Sequence, residues 1–360
     1  MSSRNFIYNS NPARVVFGVG TIAKLEDEAE ALGINRALVL TTSAQQEQGR
    51  EIVERLGGRA AGLCSNAQMH TPVTVTEDTM RVFAECGADG IVSCGGGSTI
   101  GLGKAIAYRN DAPQIVIPTS YAGSEMTPIL GQTEGGVKKT LSSPKVLPET
   151  VLYDVNYTLS LPHSMTLASG MNAVAHAVEA LYSESANPVL CMLAEEAVSS
   201  MVSALGKLSE AGQTIAGEEL LEARTDALYG AWLCGTCLGL GGVALHHKLC
   251  HVLGGSFDLP HAETHTVVLP HALAYNAPAI AEPMDRLKRA MGTDDPAGRL
   301  YDIAKQGGAP VSLRELGMPA EGIASAVRST LDNPYFNPRE LEAEGLTQLL
   351  ESAWHGNRPS

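Results

Sequence analysis

The sequence predicts an α/β domain built on a parallel sheet, followed by an all-helical domain. Three observations predict this. Over the first 160 residues, short apolar runs rich in β-branched side chains alternate with amphipathic stretches of helical period. The short runs are apolar throughout instead of alternating with polar residues, which is the pattern of strands covered on both faces. Past Leu161-Pro162 the pattern changes to long helical periods with hardly any strand signal. The expected domains are residues 1–160 and 161–360, and a chain of 360 residues is long enough for two.

In chain order, Arg14–Gly18 reads as a strand, Thr21–Leu32 as a helix and Ala37–Thr42 as a strand. Helices are expected from about Gln45 to Leu56 and from Val75 to Cys86. Buried strands are expected at Gly90–Cys94 and Gln114–Pro118. In the second domain, Met165–Tyr182, Pro188–Leu205, Glu218–Leu238 and Arg339–Trp354 carry helical periods. Between them, Val243–His271 reads as a helix stopped by Gly254-Gly255 and a second helix opened at Pro260-His261.

The net charge of −14 argues against nucleic acid and anionic membranes as partners. An anionic substrate would need local positive charge. The start, Met1-Ser2-Ser3-Arg4-Asn5, lacks an apolar core, and no apolar run reads as long enough to span a bilayer. The protein is therefore expected in the cytoplasm. Its seven cysteines, an odd number within apolar segments, read as reduced thiols. Cys234 and Cys237 form a CxxC spacing inside an apolar helical run, with no second such pair to complete a zinc site.

Chemistry concentrates in three places. The first is Gly95-Gly96-Gly97-Ser98, which follows a buried strand and opens a helix. Glycines there let backbone amides approach a pyrophosphate, and the helix N-terminus supplies positive potential. The second is the polar loop after the next strand, with Thr119, Ser120 and Tyr121. Both loops lie at the C-terminal ends of parallel strands, where α/β sheets bind ligands. A dinucleotide site selective for NAD often carries an acid at the end of the second strand; here Thr42 stands there, so a 2′-phosphate is not repelled and both NADH and NADPH are expected. The third place is the Val243–His271 stretch, with six of the ten histidines: His246, His247, His251, His261, His265 and His271. A single histidine is more often a satisfied core residue than a ligand. A cluster at helix-compatible spacing suits metal binding, proton transfer or anion recognition.

The Gly95–Ser98 turn, the Pro118–Glu125 loop, Met171–His176, His247 with His251, and Pro260-His261 together resemble the iron-containing alcohol dehydrogenase family, in order and over nearly the whole chain. The resemblance implies a Rossmann-like domain, a helical domain, NAD(P), and a metal in the cleft between them held by one Asp and three His. Carried over by position, that ligand set is Asn172, His176, His247 and His261, with His251 a further imidazole suited to proton transfer. Asn172 replaces the family's aspartate, so the anionic oxygen is lost, which argues against a tightly bound iron or zinc ion. Gly101 also stands where the family usually has Asp. These departures, with Asp258–His265 and Asn333–Arg339, are similar to one branch of the family. Its members reduce the conjugated double bond of an oxo-dicarboxylate with NADH or NADPH in bacterial breakdown of aromatic compounds.

That resemblance implies His176, His247 and His261 as contacts to substrate or oxyanion and His251 as proton donor. Tyr121, His246 and Lys248 are candidates for the substrate carboxylates, and a homodimer is expected. Two other readings stand beside it: a metal-dependent alcohol dehydrogenase of the same fold, and a non-catalytic metal-binding protein. The first would lose activity to a chelator, and the second would bind no NAD(P)H.

Overall fold

The computed structural model describes residues 6, 8–11 and 13–359. It divides into two units, Ser10–Leu161 and Pro162–Ser360.

The first unit is a six-stranded parallel sheet. Its strands are β1 (Arg14–Gly18), β2 (Ala37–Leu40), β3 (Ala60–Cys64), β4 (Gly90–Gly95), β5 (Gln114–Pro118) and β8 (Thr150–Asp154), in the order β1-β8-β5-β4-β2-β3. β2, β4, β5 and β8 are buried at every residue, as their uninterrupted apolar runs require. Helices α1 (Leu25–Ala31) and α2 (Gln46–Leu56) bury Leu25, Ala29, Ile52 and Leu56 against one face. Helices α3 (Val73–Glu85) and α4 (Gly97–Asn110) bring Met80, Phe83, Leu102 and Ile106 to the other. The order reverses between β2 and β4: from β2 the chain steps outward to β3 and then returns past β2 to β4. Sheets of this kind bind ligands at such a switch point, beyond the carboxyl ends of the strands.

β3, β8 and a hairpin go beyond the sequence reading of this unit. β3 was not recognised, because Ala60-Ala61-Gly62 carries little β-branched signal. A separate antiparallel hairpin, β6 (Ile129–Glu134) and β7 (Val137–Ser142), turns at Gly135-Gly136, where φ is +57° and +79°. That two-residue turn needs left-handed backbone at both positions, which glycine supplies without a Cβ clash.

The second unit is helical, with no strand among its described residues. Its helices are α5 (His163–Ala180), α6 (Pro188–Ala211), α7 (Gly217–Gly241), α8 (Leu245–Phe257), α9 (His261–Asn276), α10 (Ala281–Met291), α11 (Pro296–Gln306), α12 (Gly322–Asp332) and α13 (Ala343–His355). Contrary to the sequence reading, α8 does not stop at Gly254-Gly255. It runs to Phe257 and ends at Asp258, whose φ of +53° is left-handed. The last helix likewise begins at Ala343, not Arg339. The expectation that no apolar run could span a bilayer also needs correcting: α6 is long and apolar enough, though 56% of the apolar window is buried in the protein, as in a core helix. Cys234 and Cys237 are buried in α7, and burial pushes the Cys237 thiol up to about 12, which keeps it an inert thiol.

Candidate active site

In the first unit, three loops at the carboxyl ends of the strands form the candidate cofactor surface. Gly95 closes β4 at φ +158°, and Gly96 caps α4. A Cβ on Gly95 would meet Thr99 Oγ1 at 2.4 Å and Thr99 Cβ at 2.8 Å, so that position requires glycine, while one on Gly96 would meet Ser120 Oγ at 2.8 Å and push that hydroxyl aside. Gly97 and Ser98 then start α4, whose N-terminus has no side-chain cap and presents the positive end of the helix to an anion. The amide of Thr119 donates to the Gly95 carbonyl at 3.1 Å, tying the β5 loop to the glycine turn. Thr42 follows β2 and donates its hydroxyl to Gln45 Oε1 at 3.1 Å. Tyr121 is fully buried, which leaves it no surface to offer substrate carboxylates.

Sequence reasoning missed what holds the β5 loop. Lys104 of α4 is fully buried, and its ammonium donates to the carbonyls of Ser124, Thr127 and Ile129 and to Thr127 Oγ1. Burial pulls its pKa down to about 7, against the attraction of Glu125. Glu125 is also fully buried, is raised by that burial, and accepts from Tyr153 Oη at 2.8 Å.

In the second unit, the histidines come together as a connected array of rings. His176 on α5 stacks on His247 of α8, with centroids 5.1 Å apart and planes at 24°. His247 lies 4.9 Å from His265 and 6.2 Å from His251, and His265 lies 4.3 Å from His261. Behind them His246 Nε2 and His265 Nδ1 share a hydrogen bond of 2.9 Å. His246, a carboxylate-binding candidate from sequence, is fully buried and engaged in this bond. His271 is buried apart, held by desolvation at about 4. His176, His246 and His265 are all held well below the ordinary imidazole value, first by burial and then by neighbouring imidazoles. They are neutral at pH 7.

The residue that organises this array is Glu179, which sequence reading passed over. It is fully buried and accepts from His247 Nδ1 at 2.6 Å and from the backbone amides of Ala244 and His246, each at 2.7 Å. One carboxylate thus satisfies free amides at the start of α8 and fixes the ring of His247. The signal was available: Asn172, His176 and Glu179 stand at i, i+4 and i+7 of one helix face. Tyr335 was missed as an individual residue, since it comes from a loop 84 residues away from its partner. Its hydroxyl lies 3.1 Å from His251 Nδ1. Its ring lies 5.2 Å from the ammonium of Lys248, which is buried and correspondingly lowered.

His251 and His261 are exposed, whereas Asn172, His176 and His247 are buried. Asn172 Oδ1, His176 Nδ1 and His247 Nε2 have no hydrogen-bond partner among the described residues. Such orphaned buried atoms fit a divalent cation or substrate donors. The set offers no free carboxylate oxygen, however, because both oxygens of Glu179 are already spent on N–H groups. Among the described residues, His246, His247 and His265 offer donor atoms within 4.8 Å of one another.

With the geometry known, comparison with known proteins identifies relatives. The iron-containing alcohol dehydrogenase model matches residues 12–155, and the C-terminal model of the Fe-containing alcohol dehydrogenase family matches 166–354. Maleylacetate reductases from Sphingobium indicum and Pseudomonas knackmussii are 50% and 49% identical, over 98% and 99% of this chain and 99% of each relative. The crystal structure of maleylacetate reductase from a Rhizobium species superposes with a TM-score of 0.93 at 49% identity, covering 99% of this chain and 100% of that one. The sulfoacetaldehyde reductase of Bifidobacterium kashiwanohense, solved with NAD+, shares the fold at 22% identity, with a TM-score of 0.87 over 97% of this chain and 98% of that one. The chain belongs to the iron-containing alcohol dehydrogenase family.

Proposed function

We propose that the protein is a cytoplasmic maleylacetate reductase, using NADH or NADPH to reduce the conjugated double bond of maleylacetate to 3-oxoadipate. The full-length likeness to maleylacetate reductases carries this reading, and the imidazole array without a free carboxylate, with His176 and His265 held well below the ordinary value by burial, supports it. The Gly95–Ser98 turn and the Thr119-Ser120 loop would hold the pyrophosphate, with Thr42 toward the adenosine ribose.

NADH or NADPH, when bound, would supply a hydride to the alkene carbon remote from the ketone. The electron pair of the double bond moves onto the ketone oxygen as an enolate, and a proton at the adjacent carbon completes the product. Imidazole N–H groups of His176 and His261 stabilise the developing oxyanion. His247 is fixed by Glu179, which accepts from its Nδ1 at 2.6 Å and leaves Nε2 to contact the substrate. His251, hydrogen-bonded to Tyr335, delivers the proton. Lys248 contributes positive charge toward a substrate carboxylate. A divalent cation, if bound, would be held by Asn172, His176, His247 and His261 and would polarise the ketone oxygen; the steps above do not require it.

The test is oxidation of NADH or NADPH with maleylacetate against short alcohols and aldehydes, with and without chelator. Turnover of maleylacetate in chelator is the expected result. Turnover of alcohols alone, abolished by chelator, would replace this reading with that of a metal-dependent alcohol dehydrogenase.

A further inference from the structure

We infer that Gln45 sets the proton directions of two hydroxyls at the cofactor surface, and so tunes both cofactor affinity and the balance between NADH and NADPH. The inference rests on the cofactor reading above. Gln45 is half-buried at the entrance to α2, between the three loops at the switch point. Its Oε1 accepts from Thr42 Oγ1 at 3.1 Å, and its Nε2 donates to Thr119 Oγ1 at 2.8 Å. A Cβ on Gly95 would lie 3.0 Å from Gln45 Oε1, so the carboxamide is seated against the glycine turn. One side chain thereby joins the loops after β2, β4 and β5.

A hydroxyl has one proton and two lone pairs. Because Thr119 accepts from Gln45, its own proton is left to point elsewhere, as a donor suited to a phosphate oxygen. Thr42 is in the opposite state: its proton is spent on Gln45, so it offers only lone pairs. Lone pairs suit a ribose 2′-hydroxyl, which can donate, and suit a 2′-phosphate poorly. Gln45 therefore strengthens pyrophosphate binding and biases the ribose end toward NADH.

Two variants move these terms apart. Gln45→Met removes both bonds, freeing the Thr42 proton for a 2′-phosphate and the Thr119 hydroxyl to rotate. Gln45→Glu accepts from both threonines, turns the Thr119 proton away from phosphate, and adds negative charge beside the ribose. Fluorescence titration with NADH and NADPH, together with steady-state kinetics at saturating maleylacetate, reads the outcome. Gln45→Met is expected to raise the Kd of NADH about five- to tenfold, the worth of one net hydrogen bond. It is expected to raise that of NADPH less and leave kcat nearly unchanged. Gln45→Glu is expected to weaken NADPH more than NADH, so the ratio moves in opposite directions in the two variants. Equal changes for both cofactors, wild-type affinity in both variants, or a fall in kcat at constant Kd overturns the inference. If Gln45→Glu does not fold, the ratio in Gln45→Met alone decides. If wild-type protein binds neither cofactor, the cofactor reading itself falls, an outcome distinct from wild-type binding that the variants leave unmoved.

Discussion

Replacing His251 with alanine separates proton delivery from packing. His251 is exposed on α8, and its bond to Tyr335 Oη at 3.1 Å is the polar contact it brings to the Asn333–Arg339 segment. An exposed substitution changes stability by about 0.5 kcal/mol, and loss of that hydrogen bond adds about 1 kcal/mol. General acid catalysis is worth about a hundred- to ten-thousand-fold, or roughly 3–5 kcal/mol of barrier. The expected effect on turnover therefore exceeds the expected effect on stability severalfold. His251→Phe should lose turnover equally, because it keeps the volume and the ring but not the proton. Tyr335→Phe keeps the imidazole and loses only its orienting partner, so kcat should fall about two- to tenfold. The assay is kcat per active site at saturating NADH and maleylacetate, with the melting temperature measured on the same preparations. Variants of His251 that keep kcat within threefold of wild type while melting lower would refute proton delivery and leave His251 a packing residue.

Other outcomes follow from the same geometry. Asn172→Asp places a carboxylate beside His176 and His247, whose Nδ1 and Nε2 lack partners among the described residues, and should raise divalent-metal affinity at least tenfold by calorimetric titration; unchanged affinity would remove Asn172 from the ligand set. Thr42→Asp should weaken NADPH selectively through repulsion of the 2′-phosphate, and equal loss of both cofactors would move Thr42 away from the ribose. Lys104 has a folded pKa of about 7, below the ordinary lysine value of 10.5. The unfolded chain therefore holds the extra proton between those values, and the contribution of Lys104 to stability rises with pH across that window. Lys104→Met should lower the slope of stability against pH between about 7 and 10.5 in denaturant titrations, and an unaltered slope would show that Lys104 does not titrate there.

Much of this protein is written in local sequence. The β2, β4 and β5 runs had to be buried strands because their apolar residues do not alternate, and the glycines of the Gly95–Ser98 turn, between a buried strand and a helix, marked a backbone open to close approach. Spacing alone put His247 and His251 on one helix, and Asn172, His176 and Glu179 on one face of another. The Gly135-Gly136 hairpin was equally legible and was passed over. The end of α8 was not: Gly254-Gly255 costs helix stability, but Leu253 and Phe257 pack into the core around α12 and α13 and carry the helix past it.

What the tertiary structure alone decided is which polar groups face each other, because hydrogen bonds over long sequence separations leave no local trace. Glu179 reaches across 68 residues to His247, Tyr335 across 84 to His251, and Gln45 across 74 to Thr119. The same is true of burial. Sequence supplied three comparable imidazoles at positions 246, 247 and 251, but only packing left the first sealed against His265, the second held by a carboxylate, and the third exposed. Helical period fixes a side chain's direction from its own axis, while desolvation and partner choice, which decide its chemistry, depend on elements that fold against it from elsewhere in the chain.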